Sequence, residues 1–151
     1  QQTITMHRPV ATNILLSLWY NTLAEMQYSA QQFDEALQSN AQAIQAVRHT
    51  RVFNRKADIY RVRGNILAAK NTNPAAVIRL YDLSLATSLK QSALIYAVKV
   101  LVDKINFLHK HKLPLQTDVQ QLRQILSRVQ MSDDFAELAV AQSLLKEFPY
   151  C

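Results

Sequence analysis

Glycine, cysteine and long apolar runs are scarce in this chain of 151 residues, and each absence excludes a class of protein. Gly64 is the only glycine, so the glycine-rich loops that bind phosphates, dinucleotides or calcium cannot be built, and neither can a nucleophile elbow. A β-rich fold is disfavoured because hairpin turns depend on glycine for positive φ. Cys151 is the only cysteine, which excludes an internal disulfide and a cysteine-based zinc site.

Membrane spans and export signals are also lacking. No run of about 18 uncharged apolar residues occurs, and residues 1–6 lack the charged and apolar regions of a signal peptide. We therefore expect a cytoplasmic domain that has no contact with a membrane; the alternative is a periplasmic domain of a membrane-anchored regulator. Because the first residue is not methionine, we also expect the chain to be part of a longer one.

Apolar residues recur along the chain at helical intervals. They predict helices at about 12–28, 32–47, 52–70, 74–87, 92–109, 117–129 and 133–147. Asn73 and Pro74 are typical of a helix start, and the spacing of Thr117 and Gln120 is that of a capping box. No strand-like alternation competes with these patterns, so the predicted fold class is all-α.

The apolar pattern differs from helix to helix. The first helix has a set of residues that recur at three- and four-residue intervals and predict a single helical stripe. They are Ile14, Leu15, Leu18, Trp19, Thr22, Leu23 and Met26. The fifth helix is apolar nearly all round, and such a helix is typically central.

Similar segments also recur along the chain. Tyr20, Tyr60 and Tyr96 are 40 and 36 residues apart, and each lies in the first helix of a predicted pair. Small or modest residues follow four positions after each tyrosine, among them Ala24 and Gly64. Internal similarity of this period is typical of stacked helical repeats, in which small side chains allow neighbouring helices to approach.

Two stretches carry a family resemblance. Tyr20-x-x-Leu23-Ala24, followed by Phe33-x-x-Ala36 and Ala43-Ile44, resembles a degenerate tetratricopeptide repeat, with Gln27 and Gln31 at the usual aromatic and glycine positions. Val62-x-Gly64-x-Ile66-Leu67 and the ending Asp134-Phe-Ala-Glu137 with Leu144-Leu145 are similar to the C-terminal repeats of multidomain bacterial regulators. Those regulators include winged-helix transcription activators and signal-transduction ATPases.

The resemblance implies a single repeat domain over residues 1–151. It would hold antiparallel helix pairs at about 12–47, 52–87 and 92–129 and a capping helix at about 133–147, stacked as a right-handed solenoid. The implied function is non-catalytic: binding of a protein, peptide or small effector that regulates an attached DNA-binding or ATPase module.

In such scaffolds the first helices of the pairs line a concave, peptide-binding side. Positions within about two turns of the three tyrosines are then expected to form a partner groove. They are Asn21, Glu25, Tyr28, Asp58, Arg61, Asn65, Leu101 and Lys104. The alternative is that these side chains are solvated or lie between repeats.

Positive charge is concentrated in one segment. The net charge is +6, and six of the 17 lysines and arginines lie between Arg48 and Arg63, where Asp58 is the only acid. Within that segment Arg48, Arg51, Arg55 and Lys56 form a predicted basic patch that suits an acidic partner or phosphates. Direct nucleic-acid binding is disfavoured because the aromatic, Asn and Gln side chains that read bases are nearly absent there. The favoured interpretation of the patch is a solvated face, an acidic protein partner comes second, and nucleic acid comes last.

Groups of residues that could carry chemistry are lacking. His109 and His111 stand beside two lysines without a nearby carboxylate, so an exposed turn is expected there rather than a metal site. Asp133 and Asp134 are consecutive and suit the first turn of a helix capped by Ser132. No nucleophile and base stand at helical spacing, so we expect a protein that is not an enzyme and needs no cofactor or metal. Association with a second copy through the uncapped N-terminal end stays open.

Overall fold

A computed structural model describes residues 7–48, 55–129 and 136–149, with side chains in the first range from residue 13 onward. Within these ranges the chain forms helices and short connections without a strand, which confirms the all-α prediction. The helices are α1 (His7–Ser29), α2 (Phe33–Arg48), α3 (Lys56–Ala69), α4 (Pro74–Lys90), α5 (Leu94–Lys110), α6 (Gln116–Leu126) and α7 (Ala136–Glu147). None of the helices, over the residues described, is long and apolar enough to cross a membrane.

The chain divides into two compact units, Gln1–Leu80 and Tyr81–Cys151. We call them the N-terminal unit and the C-terminal unit; the division falls within α4. The predicted single domain and its solenoid arrangement stay predictions.

Small side chains let α1, α2 and α3 pack closely in the N-terminal unit. Ala24, Ala36 and Ala43 are fully buried and Gly64 is buried within α3, which confirms the predicted packing role of these residues. Two apolar clusters form around them. The first contains Ala24, Ala36, Val62 and Ile66 with Tyr28, Phe33 and Leu37 against it, and the second contains Ala43, Val47 and Ile59 with Tyr20 and Ile44.

Much of the stripe predicted for the first helix faces solvent, whereas Ile14 and Leu18 within it are half-buried. Trp19 is 75% exposed and Met26 is 66% exposed, whereas Ser17, Asn21 and Ala24 on the opposite side of α1 are buried. The small and polar face of α1 therefore packs against α2 and α3. Periodicity correctly indicated a helix with an apolar side, but it carries no information about what that side contacts.

A shared backbone motif ends four of the helices. Residues Gln31, Asn71, Ser92 and Lys112 each follow a helix with a φ between 51° and 61°. At each of these residues, its own N–H and the N–H of the following residue donate to carbonyls of the last helical turn. At Ser92, for example, Ser92 N donates to Leu89 O (3.1 Å) and Ala93 N donates to Ser88 O (2.9 Å). These are Schellman endings in which a non-glycine residue adopts the left-handed conformation. A chain with one glycine thus ends its helices at a conformational cost.

The two predicted helix starts have different outcomes. Asn73 caps α4 as predicted: its Oδ1 accepts a hydrogen bond from Ala75 N at 2.9 Å, and Pro74 is the first helical residue. The capping box at Thr117 and Gln120 is wrong, because α6 begins at Gln116 and Thr117 already lies inside its first turn. The N-cap is Leu115, which is buried and makes no side-chain capping bond, so apolar burial sets this helix start. Ser132, Asp133 and Asp134 lie outside the described residues.

Helix α5 is the centre of the C-terminal unit, as its all-round apolar sequence predicted. It contacts α6 and α7 and buries eight apolar side chains. Tyr81 from α4 meets Phe107 of α5 edge-on, with ring centroids 6.1 Å apart. Lys99 of α5 pairs with Glu137 of α7 at 2.8 Å, and Arg123 of α6 donates to Phe148 O at 2.6 Å.

We expect Ser92→Gly to stabilise the protein. The left-handed conformation costs an L-residue about 1–2 kcal/mol, and glycine removes that cost while adding about 0.5–1 kcal/mol of unfolded-state entropy. The free energy of unfolding, measured in urea, should rise by about 0.5–1 kcal/mol. Ser143→Gly, at an exposed position inside α7, is the matched control and should lower it by about 0.5 kcal/mol. Equal effects of the two substitutions would contradict the strain argument.

Candidate functional site

A hydrogen-bonded network joins α1 to α3 in the N-terminal unit. Asp58 accepts from Asn21 Nδ2 at 2.9 Å and from Arg61 Nε at 2.8 Å, and Arg61 Nη2 donates to Glu25 Oε1 at 2.5 Å. Asn21 and Asp58 are buried, while Glu25 is the most exposed member. We call these four residues the α1–α3 network. Burying the Asp58 carboxylate is tolerable because it accepts two hydrogen bonds, one of them from a guanidinium.

The structure thus brings together four of the residues predicted to line a groove, and it pairs them with one another. Of the others, Tyr28 packs against Phe33 with ring centroids 6.1 Å apart, beside the first apolar cluster. Asn65 is half-buried on α3. Leu101 is fully buried in α5, so it does not line a groove. The predicted binding role of the remaining residues stays a prediction.

Lys104, the last residue predicted for the groove, lies in the C-terminal unit between two carboxylates. Its Nζ donates to Asp82 Oδ1 at 2.7 Å and to Asp118 Oδ1 at 2.6 Å. Burial alone would lower the pKa of Lys104, but the hydrogen bonds and charges of Asp118 and Asp82 outweigh it and raise the pKa above the ordinary value of 10.5. Lys104 therefore joins α5 to α4 and α6 as a charged group.

Part of the predicted basic patch borders a cavity. The cavity has a volume of about 290 Å³ and lies within the N-terminal unit, between the C-terminal end of α2, the first two turns of α3 and Leu80 of α4. Three cations line it: Arg48, Lys56 and Arg63. The other lining residues are apolar or aromatic: Ile44, Val47, Ile59, Tyr60 and Leu80. We call this site the basic cavity.

A buried amide positions one of these cations. Asn40 is fully buried on α2; its Nδ2 donates to Ile59 O at 2.9 Å, and its Oδ1 accepts from Arg63 Nη1 at 3.3 Å. The guanidinium of Arg63 is therefore held at the cavity wall by a side chain that is itself fixed to α3. Lys56 lies with its Nζ 5.9 Å from the centre of the Tyr60 ring, within the range of a cation–π contact.

The rest of the predicted basic patch is not at the cavity. Arg55 is half-buried at the N-cap of α3 and does not line the cavity. Arg51 lies outside the described residues. Sequence reasoning did not find Asn40, Tyr60 or Leu80 as site residues. Only the charge run pointed to this region, because nothing local in the sequence links Leu80 of α4 to the lining residues of α2 and α3.

The two histidines lie against aromatic rings. His109 meets Phe148 edge-on, with centroids 5.2 Å apart, and His111 packs on Phe107 at 4.3 Å. The exposed turn predicted for both is wrong: His109 is exposed but lies in the last helical turn of α5, and His111 is half-buried at the C-cap of that helix. Across the described ranges, no group of three or more His, Cys, Asp and Glu side chains could hold a metal ion.

A second depression lies in the C-terminal unit. It has a volume of about 440 Å³ and is lined by residues from Ser92 to Tyr96 and by Arg128 and Val129. Among its described lining residues, only Arg128 carries a charge. The basic cavity concentrates more charge in a smaller volume, so it is the stronger candidate for a binding site.

No family model, curated protein or solved structure matches the chain. The resemblance to tetratricopeptide repeats and to bacterial regulators therefore stays a prediction drawn from the motifs themselves.

We expect Asp58→Ala to destabilise the protein strongly. The substitution leaves Asn21 Nδ2 and Arg61 Nε without their buried acceptor, and breaking a buried pair in this way costs about 3 kcal/mol of unfolding free energy. Asp34→Ala is the control, because Asp34 pairs with Lys70 but its side chain is 80% exposed. The loss of unfolding free energy in Asp34→Ala, measured by urea titration, should stay below about 1 kcal/mol. Similar losses of unfolding free energy in the two variants would show that the α1–α3 network is not a major contributor to stability.

Lys104 should make stability depend on pH in alkaline solution. Because its folded pKa is raised, it contributes stability that is fully present below the unfolded pKa and is lost as pH rises through the folded pKa. Above about pH 10.4 the wild type should therefore lose unfolding free energy more steeply than Lys104→Met. Asp118→Asn removes one of the two carboxylates that raise the pKa of Lys104. The loss of unfolding free energy with rising pH should therefore be smaller in this variant than in the wild type. Parallel pH curves of wild type and Lys104→Met, measured by urea titration at each pH, would contradict this.

Proposed function

We propose that the chain is a non-catalytic binding domain that senses an anionic effector at the basic cavity. The observation that carries this proposal is that Arg48, Lys56 and Arg63 line one cavity, and that none of the described residues lining it carries a carboxylate. Mostly apolar walls with a few placed polar groups are the usual composition of small-molecule sites. A ligand with a phosphate or carboxylate on an apolar body fits this chemistry.

The three cations have different roles in this proposal. Arg63 is held in place by Asn40, so its planar fork can bind an oxyanion with little loss of side-chain entropy. Arg48 is exposed and Lys56 is half-buried at the tyrosine ring. They would attract the anion and complete its neutralisation. The apolar part of the ligand would lie against Val47, Ile59 and Leu80.

The groove predicted on α1 and α3 supports ligand binding less well. Asn21, Glu25, Asp58 and Arg61 already hydrogen-bond one another, so a ligand would have to replace existing bonds there. Such an exchange gains little because each displaced group needs a new partner. A peptide or protein partner in the groove is therefore our second choice.

The motif resemblance supports a regulatory setting. We propose a cytoplasmic bacterial regulator in which occupation of the cavity alters an attached DNA-binding or ATPase module. We also propose that the helices follow the repeat pattern of three antiparallel pairs and a capping helix in a right-handed solenoid. The recurring tyrosines and the four shared helix endings support that arrangement.

We expect octyl phosphate to bind the full chain with one site in calorimetry. Arg63→Gln should weaken binding at least about tenfold, because a hydrogen bond to a charged group contributes about 1.5–3 kcal/mol. Arg79→Gln removes an exposed cation from α4 that does not line the cavity, and it should leave the affinity within about twofold. Octanol and inorganic phosphate, which carry only one half of the probe, should each bind more weakly.

The octyl phosphate titration also states what would contradict the anion site. Absence of octyl phosphate binding, or equal losses of affinity in Arg63→Gln and Arg79→Gln, would show that the basic cavity is not an anion site.

Filter retention of a labelled oligonucleotide at two salt concentrations tests direct nucleic-acid binding through the basic patch. A steep loss of retention with rising salt would favour direct nucleic-acid binding, and no retention at low salt would exclude it.

A further inference from the structure

Five large apolar side chains of α1 lie exposed on one side of the helix. Trp19 is 75%, Met26 66%, Leu15 58%, Leu23 42% and Leu16 41% exposed. The spacing of Leu15, Trp19, Leu23 and Met26 is four, four and three residues, so they form one stripe along about 16 Å of helix. We call this stripe, together with Leu16, the α1 face.

The size of the α1 face is that of an interface rather than of scattered surface residues. At the exposures given, its side chains present roughly 600 Å² to solvent, larger than the single apolar residues that are normal on protein surfaces. A stable interface buries about 800 Å² on each partner, and smaller ones are typical of weaker association. A pair of such faces would therefore bury an area at the lower end of the range for specific complexes.

The charge around the α1 face indicates what covers it. Between Asn13 and Ser29 the only charged residue of α1 is Glu25, and Glu25 is paired with Arg61. The face therefore offers no charge complementarity to an acidic or basic partner. It also lacks the lysines and arginines that helices lying on membrane surfaces carry. An uncharged apolar face suits contact with an identical face, because apolar side chains then meet apolar side chains and no charge is buried without a partner.

We propose that the α1 face pairs with the α1 face of a second copy of this chain, in an antiparallel arrangement around a two-fold axis. The axis would pass near Trp19 and Leu23, the middle of the stripe, so that Leu15 of one copy lies opposite Met26 of the other. Two-fold contacts of this kind are the commonest in homo-oligomers. The proposal is independent of the basic cavity, whose lining residues lie on α2, α3 and α4.

The test uses sedimentation and the fluorescence of the only tryptophan, Trp19. From about 1 µM to about 500 µM the mass of the full chain should rise from 17.2 kDa toward twice that value. The emission of Trp19 should shift to shorter wavelength over the same concentrations, because the indole leaves water. A mass of 17.2 kDa over the whole range, with unchanged emission, would overturn the proposal.

Two variants and one control locate the contact. Leu23→Glu and Met26→Glu should each weaken association at least about tenfold, and circular dichroism should show unchanged helix content because both positions are exposed. Val140→Glu introduces the same charge at a 54% exposed position of α7 and should leave association unchanged. Association that Val140→Glu weakens as much as Leu23→Glu would overturn the proposal.

The antiparallel arrangement has its own test in a matched pair of double variants. Leu15→Glu/Met26→Lys places opposite charges across an antiparallel contact and should retain association. Leu15→Glu/Met26→Glu places like charges there and should stay monomeric at low salt. The opposite ranking of the two variants would overturn the antiparallel arrangement.

Discussion

Hydrogen bonds from Asn21 of α1 to Asp58 and from Arg61 to Glu25 of α1 hold the polar side of α1 against α3. A buried carboxylate must keep its donors, and Asn21 can reach it only if the polar side of α1 faces α3. Ala24 lies on that same side and is fully buried against α2 and α3. The large apolar residues of α1 are consequently turned to solvent, where they form the α1 face.

Helix α3 contributes residues to both the α1–α3 network and the basic cavity of the N-terminal unit. Asp58 and Arg61 join it to α1, whereas Ile59, Tyr60 and Arg63 line the basic cavity beside α2. Residues two apart on a helix point in different directions. Two arginines of one charge run therefore have separate roles: Arg61 holds the helices together, and Arg63 is available at the cavity wall.

Much of the helical organisation could be predicted from local sequence, but the environment of the helices could not. Asn73 and Pro74 begin α4 because a cap and a proline act on their own neighbours. Thr117 failed as a cap because burial of Leu115 set the helix start instead. The exposed side of α1 was missed because an apolar stripe looks the same in sequence whether it meets a core or solvent.

The sequence by itself determined an all-α chain with most helix positions and the small residues at which helices approach closely. These properties follow from one glycine, from periodicity and from side chains acting within one or two turns. Only the tertiary structure decided that Glu25 pairs with Arg61, that Lys104 lies between Asp82 and Asp118, and that Asn40 positions Arg63. Most of these partners lie on different helices, and packing alone sets the distances between helices, on which Coulomb and hydrogen-bond energies depend.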